Sequence, residues 1–578
     1  MSSSTGAELI ATTLKNLGVR VVFGLVGIPV VEVAEACIAL GIQFIGFRNE
    51  QSASYAASAW GYLSGQPGVC LVVAGPGVVH ALAGLVNAQE NCWPMVLLGG
   101  SCETYQRGQG AFQEFPQVAA CRPYTKYAEQ PPCLDQLPAT LIRAFHTSVM
   151  GRPGPCFVEL PADFIRAPTA LLDVTDHDRS ASVPVPRTVI PKPMGPLVTL
   201  ADPTWVTQAV DCLLGAKAPL VIIGKGAAYA RAESAVQTLI QNTGWCFLPT
   251  AMGKGVVSDL HPQCVGSARS EALRQADVVL LLGARVNWML HFGQRFNTNA
   301  KLIQVDIAPE EMGRNRPVDI PLVGDVGAVV TQLNDTLASR KSTPVASEFQ
   351  KQLTSHIHRN KDKLQRLLVE ETVPMTYHRV YNEVKQVLGA DYHRTVIVNE
   401  GANTMDIGRV VFHCELPRHR LDAGTFATMG VGLGYSIAAK LYYPDRPVVA
   451  VLGDSAFGFS AMEIETAVRA RIPLVIIVMN NGGIYHGVSP QEYDRLASQH
   501  QLPSTALSQG TRYDLMAQGL GAKGYHVCKP EELHRALSDA LKLLEDAPQV
   551  HVINCVIQPG GDQKINFAWL NTEKQARL

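Results

Sequence analysis

Two stretches decide how this chain folds: Val448-Val-Ala-Val-Leu-Gly-Asp-Ser-Ala-Phe-Gly458 and Leu474-Val-Ile-Ile-Val-Met-Asn-Asn-Gly-Gly483. Each begins as a short apolar run with no polar face, the pattern of a strand covered on both sides in a parallel sheet. Positions 456 to 479 span 24 residues, about what a helix and a strand need to return to the same sheet edge. Parallel strands place both following loops at their carboxyl ends, where α/β sheets bind ligands. An Asp side chain, an Asn amide oxygen and a backbone carbonyl then converge as hard oxygen ligands. That set suits Mg²⁺, which keeps open positions for diphosphate oxygens and water. Gly453, Gly458, Gly482 and Gly483 permit tight turns and close backbone approach to phosphate. Either loop alone reads as an ordinary turn; the pair at this spacing reads as a binding site.

Outward from this core the same alternation recurs. Strand-like runs are Val21–Phe23, Val69–Val73, Met95–Leu98, Pro219–Ile223, Val278–Leu282, Leu302–Val305, Val396–Val398 and Val550–Val556. Helix-length stretches such as Thr207–Leu214 and Pro530–Leu544 lie between them. Residues 167–200, rich in Pro, Asp, Thr and Ser, and the polar residues 340–375 read as connectors. The expected architecture is therefore α/β, with three doubly wound parallel-sheet domains over 1–166, 200–340 and 376–578. A length of 578 residues accommodates that number.

Composition excludes several classes of function. Lys plus Arg number 49 against 50 Asp plus Glu, a net charge of −1, so no bulk electrostatic attraction to nucleic acid or acidic membranes exists. No apolar run reaches the ~18 residues of a membrane span, and Met1–Gly6 lacks the basic-then-apolar pattern of a secretory signal. A soluble intracellular protein is expected. The 13 cysteines are scattered without a C-x-x-C pair, which fits reduced thiols rather than zinc or a disulfide framework.

Gly453-Asp454-Ser455, followed after 24 residues by Asn480-Asn481, resembles the thiamine diphosphate motif, in which a third glycine usually stands where Ser455 does. The resemblance implies the thiamine diphosphate-dependent decarboxylase type of fold, with an N-terminal pyrimidine-binding domain, a central nucleotide-type domain and a C-terminal diphosphate- and Mg-binding domain. It also implies that Asp454, Asn481 and the Gly483 carbonyl hold Mg²⁺, with diphosphate against the helix after Asp454. Such enzymes need a carboxylate against the aminopyrimidine ring, contributed by a partner subunit. Glu50 in Phe47-Arg-Asn-Glu-Gln51 stands at the matching place; its other reading is a helix N-terminal glutamate. They also need an apolar wedge beneath the cofactor, and Met429 in Gly424-Thr-Phe-Ala-Thr-Met-Gly-Val-Gly432 looks like it, core filler being the alternative. Further cofactor contacts implied by the likeness are Ala402, Asn403, Gly424, Thr425, Gly453, Ser455, Ala456, Ile484 and Tyr485.

A likeness to 2-hydroxyacyl-CoA lyase runs over nearly the whole chain, through Arg48-Asn-Glu-Gln51, Gly75-Pro-Gly77, Gly110-Ala-Phe-Gln-Glu-Phe-Pro116, Arg418-His-Arg-Leu-Asp422 and Ile484-Tyr485. It implies cleavage of a 2-hydroxyacyl-CoA to formyl-CoA and an aldehyde one carbon shorter, in fatty acid alpha-oxidation. Oxalyl-CoA decarboxylase is the near alternative, although it typically carries Tyr-Glu where this chain has Phe112-Gln113. An FAD-type acetohydroxyacid synthase and an inactive scaffold subunit stand further off. Gln113 and Tyr485 are the candidates for hydrogen bonding the substrate oxygen. His80 is expected as a satisfied buried histidine, with proton carrier as its second role. In the central unit, Lys225, Arg285 and Asp306 are the matching contacts for ADP, a candidate ligand there. The final Ala576-Arg577-Leu578 resembles the peroxisomal Ser-Lys-Leu address, implying an import receptor and the peroxisomal matrix. A site shared between subunits implies a homo-oligomer, a dimer at the least and a tetramer by pairing.

Overall fold

The structure is a computed structural model that describes residues 5–168, 197–340, 348–546 and 549–559. Three parallel sheets carry the fold. The first contains β1 (Val21–Leu25), β2 (Gln43–Gly46), β3 (Gly68–Val72), β4 (Met95–Ser101), β5 (Tyr127–Glu129) and β6 (Pro155–Pro161), in the order β2-β1-β3-β4-β6-β5. The second orders β7 (Pro219–Ile223), β8 (Cys246–Pro249), β9 (Val278–Leu282), β10 (Lys301–Asp306) and β11 (Ile320–Val323) as β11-β10-β9-β7-β8. The third contains β12 (Val396–Glu400), β13 (Arg420–Asp422), β14 (Val448–Gly453), β15 (Leu474–Asn480), β16 (Lys523–Val527) and β17 (Val550–Val556), in the order β13-β12-β14-β15-β17-β16. Order reversals about β1, β7 and β12 mark doubly wound topology, with crossover helices covering both faces. Fully buried strands such as β3, β4 and β9 explain their unbroken apolar sequences.

The chain packs as two compact units. One comprises the first sheet together with Phe426–Pro444 and Phe459–Pro473; the other holds the second and third sheets. In the first unit the helix Glu50–Ser64 is buried along nearly its whole length. Its small residues permit that closeness: a Cβ on Gly84 would meet Ser54 Oγ at 2.1 Å, and one on Gly434 would meet the Ser52 carbonyl at 2.7 Å. Aromatic rings tie the helix in, Tyr62 stacking on Trp93 at 5.0 Å and Trp60 meeting Phe23 and Tyr442 edge-on at 6.1 and 5.8 Å. Each such pair contributes about 1 kcal/mol beyond burial.

One expected connector is ordered differently. Within 340–375 the chain forms a helix, Glu348–Leu368, because Phe349 and Leu353 put a buried apolar edge on an otherwise polar segment. Most of the other connector, and the Ala576-Arg577-Leu578 tripeptide, lie outside the described residues. None of the described helices is long and apolar enough to cross a membrane.

Candidate active site

In the second unit, adjacent parallel strands β14 and β15 bring the two motif loops to one sheet edge, with Gly453 opposite Met479 in the register. Asp454 opens the helix Asp454–Ser460. Its Oδ1 accepts the Ser455 amide at 2.7 Å, and its Oδ2 accepts Gly482 N–H at 2.8 Å and Gly483 N–H at 3.3 Å. Asn481 Oδ1 accepts the same Gly483 amide at 3.2 Å, so the Asp454 and Asn481 oxygens converge on one point of the Gly483 backbone. Asn481 Nδ2 and Asn403 Nδ2 both donate to the Tyr485 carbonyl, at 3.1 and 2.9 Å. Tyr485 and Gly482 hold positive φ, 68° and 69°, and Ile484 N–H is tied to the Thr505 carbonyl at 2.8 Å. A Cβ on Gly458 would meet open space, and its φ is not positive, so no tight turn requires glycine there.

Asp454 is only 3% exposed, and among the described residues no arginine, lysine or histidine pairs with it. Burial pushes its carboxyl up to about 6, against the lowering pull of the Ser455, Gly482 and Gly483 amides. A buried carboxylate balanced only by backbone dipoles suits a cation, which would offset the cost of its charge. The nearby amide oxygen and carbonyls are the donors a magnesium–diphosphate pair requires.

The loop after β13 is held from two sides. Gly424, at φ 63°, donates to Asp422 Oδ1 at 2.9 Å. Asp422 is fully buried; against that burial, Arg409 and Arg420 hold its carboxyl well below the ordinary carboxylate range. Trp288 Nε1 donates to the Thr425 carbonyl at 3.0 Å and Arg285 donates to Thr425 Oγ1 at 3.2 Å. Lys225, Arg285 and Asp306 do follow β7, β9 and end β10 at one edge of the second sheet. Arg285, however, reaches Thr425 rather than standing only toward that edge.

In the first unit, Asn49 caps the helix Glu50–Ser64 by accepting Gln51 N–H at 2.7 Å, so Glu50 has no capping work. The Glu50 carboxylate instead turns to His80, Oε2 lying 3.0 Å from Nδ1. His80 is thus hydrogen-bonded but not buried: its side chain is 58% exposed, because the helix Pro76–Asn91 turns its Val78 face inward and leaves Val79 and His80 outside. Gly75, at φ 53°, is approached by the Gln113 backbone, which a Cβ would meet at 2.6 Å. Glu114 ties the Gln113 loop by accepting three amides, Gly108 at 2.5 Å and Gly110 and Ala111 at 3.0 Å. Gln113 holds φ 56° and its Oε1 is buried without a hydrogen-bond partner among the described residues. Phe112 beside it is 72% exposed. Met429 lies half-buried beside Gly430, whose φ is 95°.

Sequence reasoning missed three supporting residues. Gln117 accepts Gly75 N–H at 3.1 Å and donates to the Gly100 carbonyl at 2.7 Å. Burial first, then the charge of Asp454, holds the Tyr377 phenol above the ordinary value. Trp288 is the third. Each acts across a long sequence separation, and no local pattern marks it.

Parallel sheets, a buried aspartate–asparagine pair at a shared edge and a helix-borne glutamate define a thiamine diphosphate-dependent enzyme. Models of the thiamine pyrophosphate enzyme N-terminal, central and C-terminal domains match residues 4–120, 206–333 and 400–555. "2-hydroxyacyl-CoA lyase 1" of Mus musculus is 45% identical, covering 98% of this chain and 96% of that protein. "2-hydroxyacyl-CoA lyase" of Saccharomyces cerevisiae is 42% identical over 98% and 99%. "Oxalyl-CoA decarboxylase" of Escherichia coli K12 is 37% identical over 100% and 99%. The chain belongs to the 2-hydroxyacyl-CoA lyase family of thiamine diphosphate enzymes.

Proposed function

We propose that the protein cleaves a 2-hydroxyacyl-CoA between C1 and C2, releasing formyl-CoA and an aldehyde one carbon shorter. The observation that carries this reading is the similarity to 2-hydroxyacyl-CoA lyases over 98% of the chain, higher than that to oxalyl-CoA decarboxylase.

Bound thiamine diphosphate supplies a nucleophilic thiazolium carbon and an electron sink for the charge left when C1–C2 breaks. Asp454, Asn481 and the Gly483 carbonyl hold Mg²⁺, and the backbone at Ala402, Gly453, Ser455, Ala456 and Ile484 with the Asn403 side chain fixes the diphosphate end. Gly424 and Thr425 are braced by Asp422, Arg285 and Trp288, and Met429 supports the cofactor's fold. Glu50, at the positive end of its helix, would hydrogen-bond the aminopyrimidine ring of the bound cofactor and so support its proton chemistry. The Gln113 Nε2–H and the Tyr485 hydroxyl orient the substrate's carbonyl oxygen; Gln113 Oε1, buried without a partner among the described residues, is placed to accept from a substrate donor such as the 2-hydroxyl.

Several finer assignments belong to the same reading. Glu50 serves a cofactor held by a second subunit, so the working form is a homodimer or a tetramer of paired dimers. Ala576-Arg577-Leu578 addresses the chain through an import receptor to the peroxisomal matrix, where fatty acid alpha-oxidation supplies its substrate. ADP at Lys225, Arg285 and Asp306 is a weaker assignment, since Arg285 already has a structural role at Thr425.

The test uses protein stripped with chelator and given a long-chain 2-hydroxyacyl-CoA, with or without thiamine diphosphate and Mg²⁺. A shortened aldehyde formed only with both additions supports the reading. Turnover of oxalyl-CoA alone, with release of CO₂, would replace it with the decarboxylase.

A further inference from the structure

We propose that His80 is a positioning residue for Glu50, holding its carboxylate in the orientation that the cofactor ring requires. This rests on the thiamine diphosphate reading above and adds a residue to it. The Glu50 side chain is 10% exposed, and its Oε2 is 3.0 Å from His80 Nδ1. Among the described residues this is the only hydrogen bond the carboxylate makes. A carboxylate oxygen accepts, so Nδ1 donates in this bond, from a ring that is largely exposed.

The arrangement divides the work of the two oxygens. Oε2 is engaged by His80, while Oε1 lies toward Gly77, 3.6 Å from where a Cβ would stand. A glutamate has three side-chain torsions, and a carboxylate without an anchor samples several rotamers before meeting a ring nitrogen. One fixed oxygen removes that search and aims the other, which is how supporting hydrogen bonds raise the fraction of productive geometry. The spacing is built by the fold: Glu50 begins one helix, His80 lies in the first two turns of the next, and those helices pack closely through Gly84 on Ser54.

The test compares His80→Ala with His80→Asn, whose side-chain amide places an N–H where Nδ1 stands. Thiamine diphosphate affinity of the apoprotein is measured by calorimetry, and kcat and KM for the acyl-CoA follow. His80→Ala is expected to weaken thiamine diphosphate binding and lower kcat by about tenfold each, with KM within about twofold. His80→Asn is expected to recover most of both. In a Glu50→Gln background, His80→Ala is expected to add little, because the group it positions is already altered. Unchanged affinity and kcat in His80→Ala would overturn the proposal. So would His80→Asn as impaired as His80→Ala, or losses that multiply in the double variant. Failure of the parent reading shows separately, as wild-type protein that takes up no thiamine diphosphate.

Discussion

Lowering the pH from 7 to 5 should loosen Mg²⁺ from this protein through one residue, Asp454. Its carboxyl is pushed up to about 6 by burial, only partly offset by the backbone amides that it accepts. The folded chain therefore holds this proton more tightly than the unfolded chain does. That contribution favours the folded apoprotein at low pH and is lost as pH rises through about 6. Across about two pH units, at ~1.4 kcal/mol each, the ionised form costs about 3 kcal/mol at neutral pH. A bound cation offsets that cost, so metal and proton compete for the same oxygens. At pH 7 about nine-tenths of the group is ionised and at pH 5 about one-tenth, so the apparent Mg²⁺ Kd should rise about tenfold. The assay titrates Mg²⁺ into apoprotein at fixed thiamine diphosphate and pH 5, 6 and 7, with the free cofactor's own metal binding subtracted. Asp454→Asn should bind little metal at any of these values. A wild-type affinity that is flat between pH 5 and 7 would refute the reasoning.

Three further outcomes follow from the same geometry. Glu50→Gln should lower kcat by about a hundredfold or more while thiamine diphosphate still binds; an unchanged rate would sink its role. Gly487→Ala puts a Cβ 1.7 Å from the Asn481 carbonyl oxygen and 2.8 Å from its carbon. Backbone cannot step aside there, so calorimetry should show Mg²⁺-dependent cofactor affinity reduced by about tenfold or more. Trp288→Phe removes one hydrogen bond to Thr425, a cost of about 1 kcal/mol. Cofactor affinity should fall by about fivefold; a hundredfold fall would mean the indole does more than brace that loop.

What the sequence revealed and what it hid divide along physical lines. Central strands such as β3, β9 and β14 are covered on both faces, so their apolar runs are legible without help. Every edge strand of the three sheets escaped notice: β2, β5, β8, β11, β13 and β16. An edge is half covered and carries residues such as Gln43, Glu129 and Lys523, which look like loop. The remaining missed strand, β6, is interior but begins and ends in proline, which reads as a break. The motif loops were legible because a strand, a helix and a strand of fixed length must return to one edge, and Asp454 and Asn481 do converge there. His80, expected to be buried, stands exposed, because the sequence around it does not say which side of the helix faces the core. Its bond to Glu50 spans 30 residues, and pairings of that range leave no local signature. The same holds for Tyr377 near Asp454 and for Trp288 at Thr425.

The most direct measurement follows one carbon. A long-chain 2-hydroxyacyl-CoA labelled with ¹³C at the thioester carbonyl is given to the protein with thiamine diphosphate and Mg²⁺, and products are read by mass spectrometry. The account predicts the label wholly in formyl-CoA, beside an unlabelled aldehyde one carbon shorter. Label in CO₂, or retained in a longer condensed product, would contradict it.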